Sequence, residues 1–546
     1  MPPPNTMPSG KYNAINKLNT APEVAAEDVP VPDEGPSEPP VQHYSGSKIR
    51  RSMWHYLFGR GMVAIGSFAV ALLLVRFLPV ETYGAYTALA GLLVTLGIIS
   101  DGGLDRILPK FLPMLRMANV ESRLTKLCWK LLGLRVIFIL IALIPVLLAP
   151  DWIASLLSID EGADIIWPFA LYVVLSIVSV HLARTLQAFL QQRDVTHGMA
   201  LEWFVKLAAM LIVLGSLQAL PLGYVIWIQA LTVGLCAFYL LIKLQQHLME
   251  FARAEHPPTQ LDLPRERLWR FGLHNYLPSL INIVLSEGTI KLVSAYYLGI
   301  TQTAALGFAY AITGAFRQYL PAVLLLGLIE PAFMARYTER RDFAVLNQLG
   351  SIVLKCNLFI LAPAAVWLLL CGTPLVGLIT GGKYLDTVWL LSGFIVAMML
   401  YSQFLVLQLI VNAIEESWLL FTCNAWGALF ALAQVAAMII YGLPGLLIGL
   451  LFLSGFKNIY LAVKIRSKNY PYKPDWNGIA RILILAVLSG LAGSLALRWI
   501  PGIPGSLLSL VIATTTFLVL AYFWKPFKPA ERDLLNRFIG RKLFVW

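Results

Sequence analysis

The feature that most limits what this chain can fold into is a ladder of about fourteen apolar stretches, each long enough to cross a bilayer, with cations confined almost wholly to alternate connections. The stretches are residues 58–78, 83–101, 131–149, 165–187, 201–220, 222–243, 274–298, 303–328, 350–371, 386–411, 417–440, 443–463, 478–498 and 505–524. One face of the ladder receives Lys48, Arg50, Arg51, Arg106, Lys110, Arg116, Arg123, Lys126, Lys130, Arg193, Arg253, Arg265, Arg267, Arg336, Arg340, Arg341, Lys464, Arg466, Lys468, Lys473 and the tail from Lys525 to Lys542. The other face offers Lys383 and Arg498, and holds Glu81, Asp151, Asp160, Glu161, Asp164 and Asp386. An all-α polytopic membrane protein is expected, with both termini on the cytoplasmic side by the positive-inside rule.

Composition closes off other classes. With 58% hydrophobic and 13% charged residues among 546, there is too little polar surface to cover a soluble globule. The net charge of +12 sits in short loops rather than in one patch interleaved with aromatics, so anionic lipid headgroups are the expected partner and nucleic acid is not. Cys128, Cys236, Cys356, Cys371 and Cys423 lie in or beside apolar segments without paired spacing, and read as small core residues rather than a metal site or disulfide framework. No cofactor is expected beyond a coupling Na⁺ or H⁺.

Residues 1–47 are rich in Pro and Glu and lack periodicity, so they are expected to be a disordered cytoplasmic tail. They carry no basic start followed by a short apolar core and a cleavage site, which leaves the first spanning helix as the insertion signal. The other connections are short, so function is expected inside the membrane. The stretch 104–117 alternates apolar residues with Arg106, Lys110 and Arg116 and is expected to lie along the cytoplasmic interface, as is the basic amphipathic segment 529–544 within the tail 525–546.

A weak internal repeat pairs "VRFLPVETYGAY" with "AYYLGITQTAALGF", and implies two six-helix lobes, 48–272 and 273–475, around a central cavity, with two added C-terminal helices in 476–524. The opening "GRGMVAIGSFAVALLLVRFLPVETYGAYTALAGLLVTLGIISDGGLDRILPKFLP" resembles the start of the polysaccharide transporter (Wzx-like flippase) branch of the multidrug/oligosaccharidyl-lipid/polysaccharide superfamily. Arg76, Leu78, Pro79, Glu81, Tyr83 and Gly84 occupy that family's turn pattern, with Pro79 where a Gly is usual. The resemblance implies a flippase of the bacterial inner membrane. It would move an undecaprenyl-pyrophosphate-linked oligosaccharide to the periplasmic leaflet by alternating access, in the company of a polysaccharide polymerase and a chain-length regulator.

Such cargo needs cations and hydrogen-bond donors facing a wet cavity. Arg317, with Gln318 beside it, lies deep in the eighth stretch and is the first candidate for a phosphate contact, because a guanidinium donates bidentately and stays charged when desolvated. Glu287 and Lys291 share a helix face in the seventh, as a coupling site or as a self-neutralising structural pair. Arg184, Arg60 and Lys291 are further substrate candidates, Arg184 and Arg60 against snorkelling and positive-inside anchoring. His181 is a coupling candidate, against a hydrogen-bonded packing role. Gln403, Gln408, Asn412, Asn424 and Gln434 offer amides to sugar hydroxyls or to neighbouring helices. Three competing functions stay open: a cation-coupled multidrug antiporter of the same fold, which would concentrate acids in the membrane; a membrane glycosyl polymerase or ligase, which would carry a long periplasmic loop; and a non-transporting scaffold, which would leave Arg317 and Glu287 without a reason to be mid-membrane. No Walker motif occurs, so ATP hydrolysis is not expected.

Overall fold

The structure, a computed structural model, describes residues 46–117, 121–159, 162–253, 264–317, 320, 343–539 and 544–546. Residues 1–53 make one unit and residues 54–546 another. Of the first, only the opening turns of α1 are described, so the expected disorder of the N-terminal tail falls on residues outside the description.

In chain order the helices are α1 (Gly46–Phe77), α2 (Val80–Ile99), α3 (Leu104–Met117), α4 (Glu121–Leu148), α5 (Pro150–Leu156), α6 (Ile166–Ala188), α7 (Gln192–Leu217), α8 (Leu222–Arg253), α9 (Arg265–Ile281), α10 (Glu287–Tyr297) and α11 (Ile300–Arg317). They continue with α12 (Phe343–Cys371), α13 (Thr373–Thr380), α14 (Val388–Ala413), α15 (Ser417–Ser467), α16 (Trp476–Trp499), α17 (Gly502–Trp524) and α18 (Pro529–Ile539). Ten helices among the described residues are long and apolar enough to span a bilayer, and the chain is a multi-pass membrane protein.

Ten differs from fourteen for physical reasons. The stretch 274–298 is not one helix but α9, a short 3-10 segment at Asn282–Leu285, and α10. The eleventh and twelfth stretches are the two arms of α15, which folds back at Gly442, where φ is 68° and ψ is −149°. Only glycine takes that conformation without a steric penalty, and Pro444 follows it. The arms then pack antiparallel, with Phe430 against Phe456 at 4.5 Å and the Tyr460 hydroxyl donating to Thr422 at 2.9 Å. In α1, the apolar segment counted is Gly61–Phe77, and the end of the eighth stretch lies outside the described residues.

The end of the bundle where the cationic connections gather is termed the basic end, and the other the acidic end. At the acidic end, α2 lies between α10 and α11 on small residues. A Cβ built on Gly288 would come 2.6 Å from the Gly91 carbonyl, and one on Gly91 would come 2.8 Å from Lys291 Cβ. With no apolar contrast between lipid and side chains, such close backbone approach is what holds spanning helices together. Lys383 donates to the carbonyls of Arg76 (2.8 Å) and Leu78 (2.6 Å), Arg76 donates to the Leu378 carbonyl, and Tyr384 stacks on Phe308 at 5.3 Å. One apolar cluster including Leu74, Leu78, Tyr83, Phe308, Leu390 and Leu446 fills this seal.

Both amphipathic segments are held by contacts with the rest of the chain. The apolar stripe of α3, Leu104, Ile107, Leu108, Phe111, Leu112 and Leu115, is buried against protein, chiefly α6 and α9, with Phe111 on Phe271 at 5.5 Å. The C-terminal segment is anchored by charge: Lys355 of α12, fully buried, donates to Asp475 at 2.7 Å, to the Pro526 carbonyl at 3.2 Å and to Glu531 of α18. Trp546 packs on Phe359 of α12 at 5.9 Å, and Asn536 exchanges hydrogen bonds with the Phe544 backbone. The apolar stripe of α3 is thus satisfied by neighbouring helices, a partner that sequence periodicity alone does not distinguish from lipid.

Candidate functional site

The break between α9 and α10 has a local cause. Ser286 is extended (φ −66°, ψ 144°) and caps α10, its hydroxyl accepting from the Thr289 amide at 3.1 Å, while the Thr289 hydroxyl donates to the Ile283 carbonyl at 2.7 Å. Serine followed by an acid and a glycine is a helix-start signal, and here it sits in the middle of an apolar stretch. The result places Glu287 on the first turn of α10, where the partial positive charge of the helix terminus favours a carboxylate.

Glu287 lines a cavity of about 210 Å³ between α10, α11, α14 and α15, and Arg317 lines the same cavity from α11. Two of the residues singled out from sequence in separate helices thus meet at one site. Arg317 donates to the Tyr401 hydroxyl at 3.1 Å, with its guanidinium 4.4 Å from the centre of that ring. No carboxylate pairs with it among the described residues. Glu287 is instead bonded to Lys291 at 2.5 Å; the Lys291 side chain is 10% exposed and that of Glu287 is 44% exposed. Lys291 also sits 5.4 Å from the Tyr310 ring.

Gln434, 3% exposed, completes one wall, and its Oε1 has no hydrogen-bond partner. The cavity therefore holds a guanidinium with no carboxylate partner among the described residues, a carboxylate already sharing its charge, and an unspent amide acceptor, on aromatic walls from Tyr310, Phe394 and Tyr401. Tyr310 and Tyr401 were not singled out from sequence, because a tyrosine in an apolar helix carries no signal until a cation is seen over its ring. Gln318 lies outside the described residues, as does the side chain of Arg60 on α1.

His181 and Arg184 belong elsewhere, at the basic end. Arg184 of α6 donates to Asp105 of α3, His181 Nδ1 lies 3.5 Å from the same carboxylate, and Arg135 of α4 lies 3.9 Å from it. Arg135 also donates to Asp101 at 3.3 Å and to the Gly97 carbonyl at 3.2 Å. Burial pushes the Asp105 carboxyl upward, but the His181 contact and the charges of Arg184 and Arg135 overcome that and hold it below the usual carboxylate range. Sequence reading passed over Arg135, since a cation fifteen residues into a long helix resembles a snorkelling side chain until its partners are seen. No group of three or more His, Cys, Asp or Glu side chains converges as a metal site among the described residues, and all five cysteines are free.

No protein-family model matches the chain, and no curated protein matches it in sequence. Among solved structures it is similar to the lipid II flippase MurJ in an inward closed conformation, with a TM-score of 0.58 and 11% identity over 89% of this chain and 99% of that one. It is also similar to an inward-facing multidrug resistance MATE family transporter of the MOP superfamily, with a TM-score of 0.58 and 14% identity over 75% of this chain and 96% of that one. The chain shares the fold of these two structures.

Proposed function

We propose that this chain is a flippase carrying an undecaprenyl-pyrophosphate-linked oligosaccharide from the cytoplasmic to the periplasmic leaflet of a bacterial inner membrane, by ion-coupled alternating access. The two lobes that rock are residues 48–272 and 273–475, with 476–524 as two added helices. The basic end is cytoplasmic, in line with the positive-inside rule.

The observation that carries this reading is Arg317. A guanidinium placed well inside the membrane costs about 2.5–3.5 kcal/mol on insertion scales, and here no carboxylate among the described residues offsets it. A phosphate arriving in the cavity would supply the missing countercharge, and the planar fork of arginine suits it. Tyr401 holds the guanidinium in place from one side and leaves the rest of the fork for the ligand. Gln434 Oε1 is an acceptor for a sugar hydroxyl. Glu287, partly exposed, takes the coupling proton or Na⁺ and releases Lys291 when it does, and His181 is a second place for a coupling proton. Hand-over to a polymerase and a chain-length regulator would follow on the periplasmic side.

A second reading is cation-coupled export of cationic compounds, favoured by the same partly exposed Glu287 carboxylate at the cavity. The two are separated by Arg317→Ala. Under the flippase reading this variant inserts and folds normally, yet cells lose surface polysaccharide and accumulate lipid-linked oligosaccharide in the cytoplasmic leaflet, measured by mass spectrometry of extracted lipids. Normal flipping by a well-expressed Arg317→Ala protein would sink the phosphate-contact assignment.

A further inference from the structure

A second cavity, larger than the one that holds Arg317 and Glu287, opens elsewhere in the bundle. It has a volume of about 880 Å³, lies at the basic end between α2, α3, α4 and α6, and is touched by Ser279 of α9. One wall is apolar, made by Leu93, Val94 and Ile98 of α2 with Ile177 and Val180 of α6. Its rim is open to the surroundings of the bundle: Val180 is 47% exposed and Leu190 64%. The opposite wall is charged, with Arg106, Arg184 and Arg135 beside Asp101 and Asp105.

The charges do not close on themselves. Arg106 forms no ion pair among the described residues, and the Arg184 side chain is 48% exposed although it reaches Asp105. Asp101 Oδ1 accepts from Arg135 and from the Asp105 amide, which leaves its second oxygen without a partner among the described residues. Deeper in, Arg135 Nε and Ser176 Oγ are buried with no hydrogen bond, and Asp105 Oδ1 is buried with only His181 Nδ1 near it at 3.5 Å, an unusual concentration of under-used polar atoms around one space. A soluble ligand has no use for the apolar wall. A purely anionic headgroup would meet two carboxylates, one of which, Asp105, is held ionised by its basic neighbours.

We propose that this cavity is a binding site for a membrane phospholipid with a zwitterionic headgroup bearing a primary ammonium. Its phosphate sits on Arg106 and Arg184, its ammonium on Asp101, and an acyl chain lies along Val94 and Val180. The chemistry matches term by term: cations at the exposed rim for the phosphate, an unspent carboxylate oxygen further in for a three-donor ammonium, and an apolar strip leading toward the lipid. Because α3 and α6 both line the site, the lipid also bridges the interfacial helix to the spanning bundle. The proposal is independent of which cargo the central site carries.

The test uses the full-length protein, stripped of lipid in detergent and titrated separately with phosphatidylethanolamine, phosphatidylcholine and phosphatidylglycerol, with bound lipid counted by native mass spectrometry. Phosphatidylethanolamine is expected to bind roughly tenfold more tightly than the other two, the worth of one charge-assisted hydrogen bond that a quaternary ammonium or a glycerol cannot make. Asp101→Asn is expected to erase the preference over phosphatidylcholine, and Arg184→Gln to weaken all three. Val180→Trp, at an exposed position that leaves the charge network intact, is expected to block the site and remove specific binding. Equal binding of the three lipids by the unaltered protein overturns the proposal without any variant, as does tighter binding of phosphatidylglycerol. Full lipid preference in a folded Asp101→Asn or Val180→Trp protein overturns it as well.

Discussion

Replacing Lys355 by methionine removes the only cation bonded directly to Glu531 among the described residues, and the consequence can be worked out from the geometry. Lys355 is fully buried, Glu531 is 3% exposed, and the Asp475 side chain is 10% exposed. Removing one partner of a buried ion pair costs about 3–5 kcal/mol, because the other charge is left uncompensated. Protonation sets a ceiling: neutralising a glutamate of ordinary pKa near 4.3 costs about 1.4 kcal/mol per pH unit, hence roughly 3.7 kcal/mol at pH 7 and about 1 kcal/mol at pH 5. Asp475 is relieved in part by Lys528 at 3.6 Å and by the Gly478 amide. The penalty therefore falls mainly on α18, which is expected to detach with the segment through Trp546. Hydrogen exchange across residues 525–546 and thermal melting in detergent should both report it, with the Lys355→Met defect large at pH 7 and small at pH 5. Adding Glu531→Gln should recover most of the loss at pH 7. A Lys355→Met protein that melts and exchanges like the original at pH 7, or a defect unchanged at pH 5, would refute the reasoning.

Other outcomes follow from the same geometry. Gly288→Val puts a branched side chain where a Cβ already meets the Gly91 carbonyl at 2.6 Å. Overpacking of this kind costs about 1–3 kcal/mol, enough to shift the closed acidic end toward opening by roughly 5- to 150-fold. A cysteine introduced as Thr87→Cys, buried in the seal, should then become reactive to an impermeant maleimide, and unchanged labelling would count against the seal. The pH dependence has a definite sign. For Asp475, burial raises the carboxyl but Lys355, the Gly478 amide and Lys528 outweigh it, so both Asp475 and Asp105 are held below their unfolded value of roughly 3.9. Their contribution is present above that value and lost as pH falls through the folded one, so melting temperature should drop below about pH 4. Asp475→Asn should flatten the drop; an unchanged profile would remove Asp475 from the account.

Much of the architecture was legible in the residues alone. Hydropathy over some twenty residues and the charge of short loops are local quantities, and lipid allows few alternatives to a helix, so an all-helical membrane chain and most of its long apolar helices could be read off directly. The candidates Arg317, Glu287 and Lys291 were found for the same reason, since a charge in an apolar stretch stands out. What the residues could not reveal is which charges find partners. Arg184 meets Asp105 from 79 positions away, and Lys355 meets Asp475 and Glu531 across 120 and 176. Arg317 shares one cavity with Glu287 because the chain breaks between α9 and α10, where Ser286 starts a new helix, and α14 presents Tyr401 from 84 positions further on. Burial decides whether a charge is a structural pair or an open site, and burial is a property of helices packed together. The sequence alone determined that this chain lives in a membrane and which end of it is basic; only the tertiary structure decided which of its cations are already spoken for.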